Sequence, residues 1–234
     1  MKLNKTQPIG VFDSGIGGLT VANAVSKLLP NEQIIYFGDT AHLPYGDKSP
    51  RAIKQYSYMI ADFLLEKKCK AIIIACNTAS SIAYTFLKEL YKDDLYIVDA
   101  IQPVINGVCQ DDSVKKIGII GTQVTIQSEV YEKRFKAQKP DLEVVSLATP
   151  LLVPMIEAGN FNDEMSESIL KSYLLRKEFE DKLSDKRNKI KDTIKSKMNE
   201  VSAMVSSFQD EFERKEKQLK DTLAKAAPMP DVTW

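Results

Sequence analysis

The chain of 234 residues is short of nearly every feature that would tie it to a large partner or a membrane. It has no net charge: lysine plus arginine equals aspartate plus glutamate, 32 each. That balance gives no attraction to nucleic acid or to an anionic surface. No apolar run is long enough to span a bilayer, and residues 1–8 lack the apolar core of a secretory signal. Three cysteines cannot build a disulfide framework in a chain this long, which suits a reducing compartment. A cytoplasmic location is the resulting expectation. Histidine occurs once, as His42, in a stretch that reads as a loop rather than a catalytic position. The N-terminal glycines do not have G-x-G-x-x-G spacing, so no dinucleotide site is indicated. Glycine is absent after Gly159, and proline between Pro154 and Pro228.

What is present is an alternation of strand and helix up to about Ser146. Strand candidates are 9–12, 34–39, 71–75, 95–98, 116–120 and 142–147. Helix candidates are 19–29, 50–67, 79–91, 103–109 and 124–137. This order predicts parallel sheets with helices on both faces, an α/β class. The run Ala71-Ile72-Ile73-Ile74-Ala75 reads as a fully buried strand. It stops at Cys76, Asn77 and Thr78, where a helix begins. Ligands bind at such strand ends in open α/β sheets, and a helix N-terminus favours a thiolate. A buried structural cysteine would fit the same pattern.

Two other strands deliver polar groups to the same edge. The first runs into Asp13-Ser14-Gly15-Ile16-Gly17-Gly18, a turn suited to an anion. The second runs into a loop containing Asp39, His42, Pro44, Tyr45 and Gly46. With Gly118-Ile119-Ile120-Gly121-Thr122 through Thr125, and Pro150-Leu151-Leu152-Val153-Pro154 through Glu157, these segments follow one another in an order and spacing that closely resemble glutamate racemase. That enzyme interconverts L- and D-glutamate without a cofactor, for peptidoglycan precursor synthesis. The resemblance covers residues 9–173.

The resemblance implies two parallel-sheet α/β domains with the active site between them, residues 1–98 and 99–173, the second half incomplete. It implies no cofactor and no metal, and glutamate as the small-molecule partner. It makes Cys76 the acid–base group on one face of Cα, with Asp13 near the substrate amino group. Ser14, Tyr45, Gly46, Asn77 and Thr78 hold the substrate, and Thr122 and Thr125 contact it from the second domain. Turn or helix capping is the alternative role for Asp13 and Asn77, and a structural role for the two threonines. Asp39 supports the His42–Gly46 loop. The family pattern continues to a second strand ending in Gly-Cys-Thr-His-Tyr-Pro, and this sequence does not contain it. Cys69, among lysines, and Cys109, at a helix end, read as structural.

The chemistry makes that difference matter. Racemisation removes the Cα proton and returns one on the opposite face, so it needs an acid–base group on each side. With no electron sink, oriented donors and exclusion of water must stabilise the charge. The expectation is a glutamate racemase-like chain that racemises poorly alone. The alternative is a racemisation-deficient chain acting as a helix-mediated interaction protein. Aspartate and hydantoin racemases fit less well, because Asp13-Ser14-Gly15 and Pro44-Tyr45-Gly46 favour the glutamate branch.

Past the resemblance the composition changes. Between Arg176 and Lys225, 14 residues are basic and 11 acidic, the make-up of a long exposed helix. Val201, Val205, Phe208, Phe212, Leu219 and Leu223 follow heptad spacing. Residues 174–227 are therefore expected to be a charged helix that lies on the globular body or self-associates as a coiled coil, giving a homo-oligomer. Residues 228–234 read as a disordered tail.

Overall fold

The computed structural model describes residues 6–92, 95–159 and 164–175, all within one compact unit that clusters as residues 1–187. The charged segment expected beyond Leu175, and the tail, lie outside the described residues. The chain runs β1 (Ile9–Asp13), α1 (Leu19–Leu28), β2 (Ile34–Gly38), a 3-10 turn (Tyr45–Asp47), α2 (Pro50–Glu66), β3 (Ala71–Ile74), α3 (Asn77–Leu90), β4 (Tyr96–Asp99) and α4 (Ile101–Cys109). It continues through β5 (Lys116–Gly121), α5 (Gln123–Gln127), α6 (Val130–Gln138), β6 (Glu143–Ala148), α7 (Leu152–Glu157) and α8 (Glu164–Leu174). The class is α/β. One sheet has the order β2-β1-β3-β4 and the other pairs β5 with β6. Every pairing is parallel, so the strand C-termini of each sheet share one edge.

The first sheet has a well-covered face and a thinly covered one. Phe12, Ile72, Ile74 and Ile97 join Ile53, Ile60 and Leu64 of α2 and Ala79, Ala83 and Leu87 of α3 in one core cluster. Helix α2 is started by Ser49, whose side chain accepts the Ala52 N–H, with Pro50 preset for the first turn. The opposite face gathers Ile9, Val11 and Ala75 under Val21, Ala22 and Val25 of α1, none of whose residues is fully buried. The apolar run expected to be fully buried is therefore two-faced: Ile72 and Ile74 are buried, Ala71 and Ile73 only partly. Next to it on β4, Ile97 is buried and Tyr96 is 67% exposed. A parallel strand reads as continuous burial only when both faces are fully covered, and α1, none of whose residues is buried, leaves Ile73 partly covered.

The second sheet packs against α4 and α6 through Ile101, Ile105, Phe135 and Leu142, with Ile117, Ile119 and Val144 at the margin. The single helix expected over 124–137 is two. Ser128 Oγ donates to the Thr125 carbonyl and accepts the Val130 N–H, and Glu129 is left-handed (φ 54°). A serine that satisfies backbone groups locally offers an alternative to the helical ladder, and α5 ends there.

Candidate active site

The parallel pairing puts Asp13, at the end of β1, beside Cys76, just beyond β3. Cys76 is the N-cap of α3: its backbone is extended and its sulfur accepts the Ala79 N–H at 3.3 Å. This is why the helix starts at Asn77, two residues earlier than expected. The thiol donates to Ser14 Oγ at 3.4 Å, joining the β1 turn to the β3 junction. Asp13 Oδ2 accepts the N–H groups of Gly15 and Gly18, both at 3.1 Å. The turn expected to bind an external anion thus already holds the carboxylate of Asp13. Gly18 is required for this closeness, since a Cβ there would lie 2.6 Å from Asp13 Cβ and 2.9 Å from Ala75 Cβ.

The β2 loop closes over the same place. Asp39 accepts from Tyr45 Oη at 2.6 Å and contacts His42 Nδ1 at 2.8 Å, so it supports the loop as expected. His42 stacks on Tyr56, with the ring centroids 4.1 Å apart. Gly46 meets the second half: a Cβ there would come within 2.8 Å of Thr122 Cβ and Cγ2. Thr78, Thr122 and Thr125 form a triangle of hydroxyls at 2.9 to 3.3 Å, linking α3 to the β5–α5 junction. Asn77 is exposed, and its Oδ1 accepts from Tyr131 Oη at 2.7 Å.

All nine residues expected at the site therefore lie at or beside this junction of strand ends, Asn77 at its outer edge. Three more were not anticipated. Tyr36 Oη donates to the Gly15 carbonyl at 2.9 Å. Glu157, at the end of α7, puts Oε1 3.1 Å from where a Gly15 Cβ would be. Tyr131 holds Asn77. Glu157 ends the stretch from Pro150 that carries part of the resemblance, but nothing in its spacing aims it at Gly15. Tyr36 read only as strand, and Tyr131 as helix.

The electrostatics differ from the expected thiolate. Burial, and then the charge of Asp13, push the Cys76 thiol up to about 11 from its ordinary 9.0, although the Ser14 and Ala79 hydrogen bonds pull the other way. The helix N-terminus is real, but desolvation of a 6% exposed sulfur outweighs it. Glu157 is also raised, by burial and by Asp13. The site sets the Cys76 thiol beside the Asp13 carboxylate, with hydroxyls and backbone N–H groups around them. Among the described residues no group of three or more His, Cys, Asp or Glu could hold a metal ion.

Comparison with known proteins fits this geometry. Residues 19–181 match the Asp/Glu/Hydantoin racemase family. The chain is 38% identical over 169 residues to glutamate racemase of Streptococcus gordonii, covering 72% of this chain and 63% of that one. It is 42% identical over 166 residues to glutamate racemase of Geobacter metallireducens, covering 71% and 61%. The crystal structure of glutamate racemase from Francisella tularensis subsp. tularensis SCHU S4 in complex with D-glutamate superposes with a TM-score of 0.69 at 42% identity, covering 76% of this chain and 65% of that one. The chain spans less than two thirds of the length of each. The chain belongs to the Asp/Glu/Hydantoin racemase family, and the relatives it matches there are glutamate racemases.

Proposed function

We propose that this chain binds glutamate at the junction of its strand ends and exchanges the Cα proton on one face through Cys76. The observation that carries this reading is the placement of the Cys76 sulfur, 3.4 Å from Ser14 Oγ and beside Asp13, just past the end of β3. Asp13 and Glu157 offer negative charge to the substrate ammonium. The Thr78–Thr122–Thr125 triangle, Asn77 and the Tyr45–Gly46 turn offer donors to its carboxylates. Burial and, second to it, the Asp13 charge favour the protonated thiol; the entering ammonium offsets the Asp13 charge and so brings Cys76 closer to the base that the chemistry needs.

The opposite face of Cα has no such group in this sequence. The second strand-and-cysteine motif is absent, and Cys69 is buried in the core cluster while Cys109 closes α4. Racemisation by this chain alone is accordingly slow, and its place in cell-wall precursor synthesis depends on a second acid–base group from elsewhere. The two racemase-like halves, 1–98 and 99–173, are read as the two walls of the site.

Solvent-deuterium exchange at Cα of each glutamate enantiomer, with optical rotation followed in parallel, tests the proposal. Exchange with retention of configuration is expected. Racemisation at the rate of a full-length relative would refute the one-sided scheme, and no exchange with either enantiomer would refute the role of Cys76.

A further inference from the structure

Helix α6 grips the start of the cysteine-bearing helix, and the scheme above makes no use of that grip. Tyr131 Oη donates to Asn77 Oδ1 at 2.7 Å. Arg134, three residues on and so on the same face of α6, places Nη2 2.6 Å from Asp99 Oδ2. Its guanidinium lies over the Tyr84 ring of α3, 5.1 Å from the centroid, and Nη1 donates to Gln102 Oε1 at 3.3 Å. Asp99 is a firm anchor. Its side chain is wholly buried, and Oδ1 accepts the N–H groups of Ile101 and Gln102 at the start of α4. The ion pair and the guanidinium over Tyr84 thus tie the stretch of α6 that carries Tyr131 to α3 and to the start of α4.

The consequence lies in the asymmetry of the asparagine amide. Oδ1 only accepts, and Nδ2 only donates. A hydroxyl proton committed to Oδ1 leaves the two Nδ2 hydrogens as the end of the amide that Tyr131 does not hold. Asn77 follows Cys76 directly, in the first turn of α3.

We propose that Tyr131 is a positioning residue that turns Asn77 donor-end outward to receive a substrate carboxylate, with the Arg134–Asp99 pair fixing α6 in place. The inference rests on the reading of Asn77 as a glutamate ligand. It makes the site selective for an anionic group at this point, since an unheld amide could present its acceptor equally well.

Titration calorimetry of glutamate on the full chain tests it through Tyr131→Phe, Asn77→Ala and the double variant. Tyr131→Phe keeps the ring and its packing, and is expected to weaken binding about tenfold. In the Asn77→Ala background the same change is expected to cost less than about twofold, because groups that act as a pair are not additive. Arg134→Gln should reproduce the Tyr131→Phe loss and Arg134→Lys should recover part of it, keeping the charge without the fork. Equal losses in both backgrounds, or no loss from Tyr131→Phe, would overturn the proposal. If the unmodified chain binds no glutamate, the functional reading fails, and the side-chain amide signals of Asn77 in nitrogen-15-labelled protein decide the positioning alone. Signals that shift and broaden in Tyr131→Phe support it, and unchanged signals overturn it.

Discussion

Two strand-to-helix junctions of this chain, after β3 and after β5, share one backbone device and put it to different uses. After β3, Cys76 sits at φ −74°, ψ 121° and takes the N–H of Ala79 on its sulfur. After β5, Thr122 sits at φ −62°, ψ 158° and takes the N–H of Thr125 on its hydroxyl. Both are extended caps that satisfy an orphan donor of the following helix. The surroundings separate them. Cys76 is 6% exposed and β3 has two buried residues, whereas no residue of β5 is fully buried. The first junction thus holds a titratable group in a dry place, and the second a hydroxyl that can only share hydrogen bonds. A junction prepares a position, and the residue type with its burial decides whether that position can do acid–base work.

The sharpest break of this comparison is to exchange the caps' chemistry. Cys76→Ala is expected to lower Cα deuterium exchange by ~10²–10⁴-fold. Thr122→Ala, at the matching position, is expected to lower it by less than about tenfold through weaker binding. Equal losses measured by mass spectrometry of recovered glutamate would mean the two junctions are not distinct in role.

Titration of the thiol comes next. With the Cys76 thiol raised to about 11, thiolate near pH 8 is scarcer by about two powers of ten than for an ordinary thiol at 9.0. Alkylation followed by peptide mapping should mark partly exposed Cys109 first at neutral pH, and the Cys76 rate should climb until about pH 11. Glutamate at saturation should bring that climb to lower pH. The same shift has a stability sign. Below pH 9 the folded and unfolded chains both keep the proton. Between about 9 and 11 the unfolded chain loses it while the folded chain does not, so stability falls across that window. Cys76→Ala should flatten the fall in urea midpoints, and an unchanged slope would contradict the raised thiol.

Backbone closeness is the third contrast. Gly18→Ala forces a Cβ to 2.6 Å from Asp13 Cβ, and should cost about 1–3 kcal/mol in urea unfolding. Gly107→Ala, where a Cβ would meet nothing within 4 Å, should be neutral or stabilising. The smallest effect is expected of Ser14→Ala. It removes a hydrogen bond that lowers the Cys76 thiol, so labelling at pH 9 should slow by only a few-fold. Faster labelling would reverse the assigned sign.

Much of this arrangement was legible in residue order. Apolar runs mark the six strands of the described residues, and the polar residues after them mark the edge where Asp13, Cys76 and Thr122 gather. The break at Ser128 and Glu129 was not, because helix periodicity carries across a serine whose side chain chooses the backbone instead. Tyr36, Glu157 and Tyr131 were hidden for another reason: each belongs to an element whose direction toward the site is set by sheet register or helix docking.

The sequence by itself determined the α/β class, the parallel character of the sheets and the identity of the groups at the strand ends, since periodicity and junction residues are local properties. It also determined that one cysteine-bearing strand end is present and the second motif is not. Only the tertiary structure decided that β3 is covered on one face more than the other, that Asp13 fills its own glycine turn, and that the Cys76 thiol is held protonated. Those outcomes depend on which atoms displace water around a group, and desolvation is a property of the packed neighbourhood rather than of the chain.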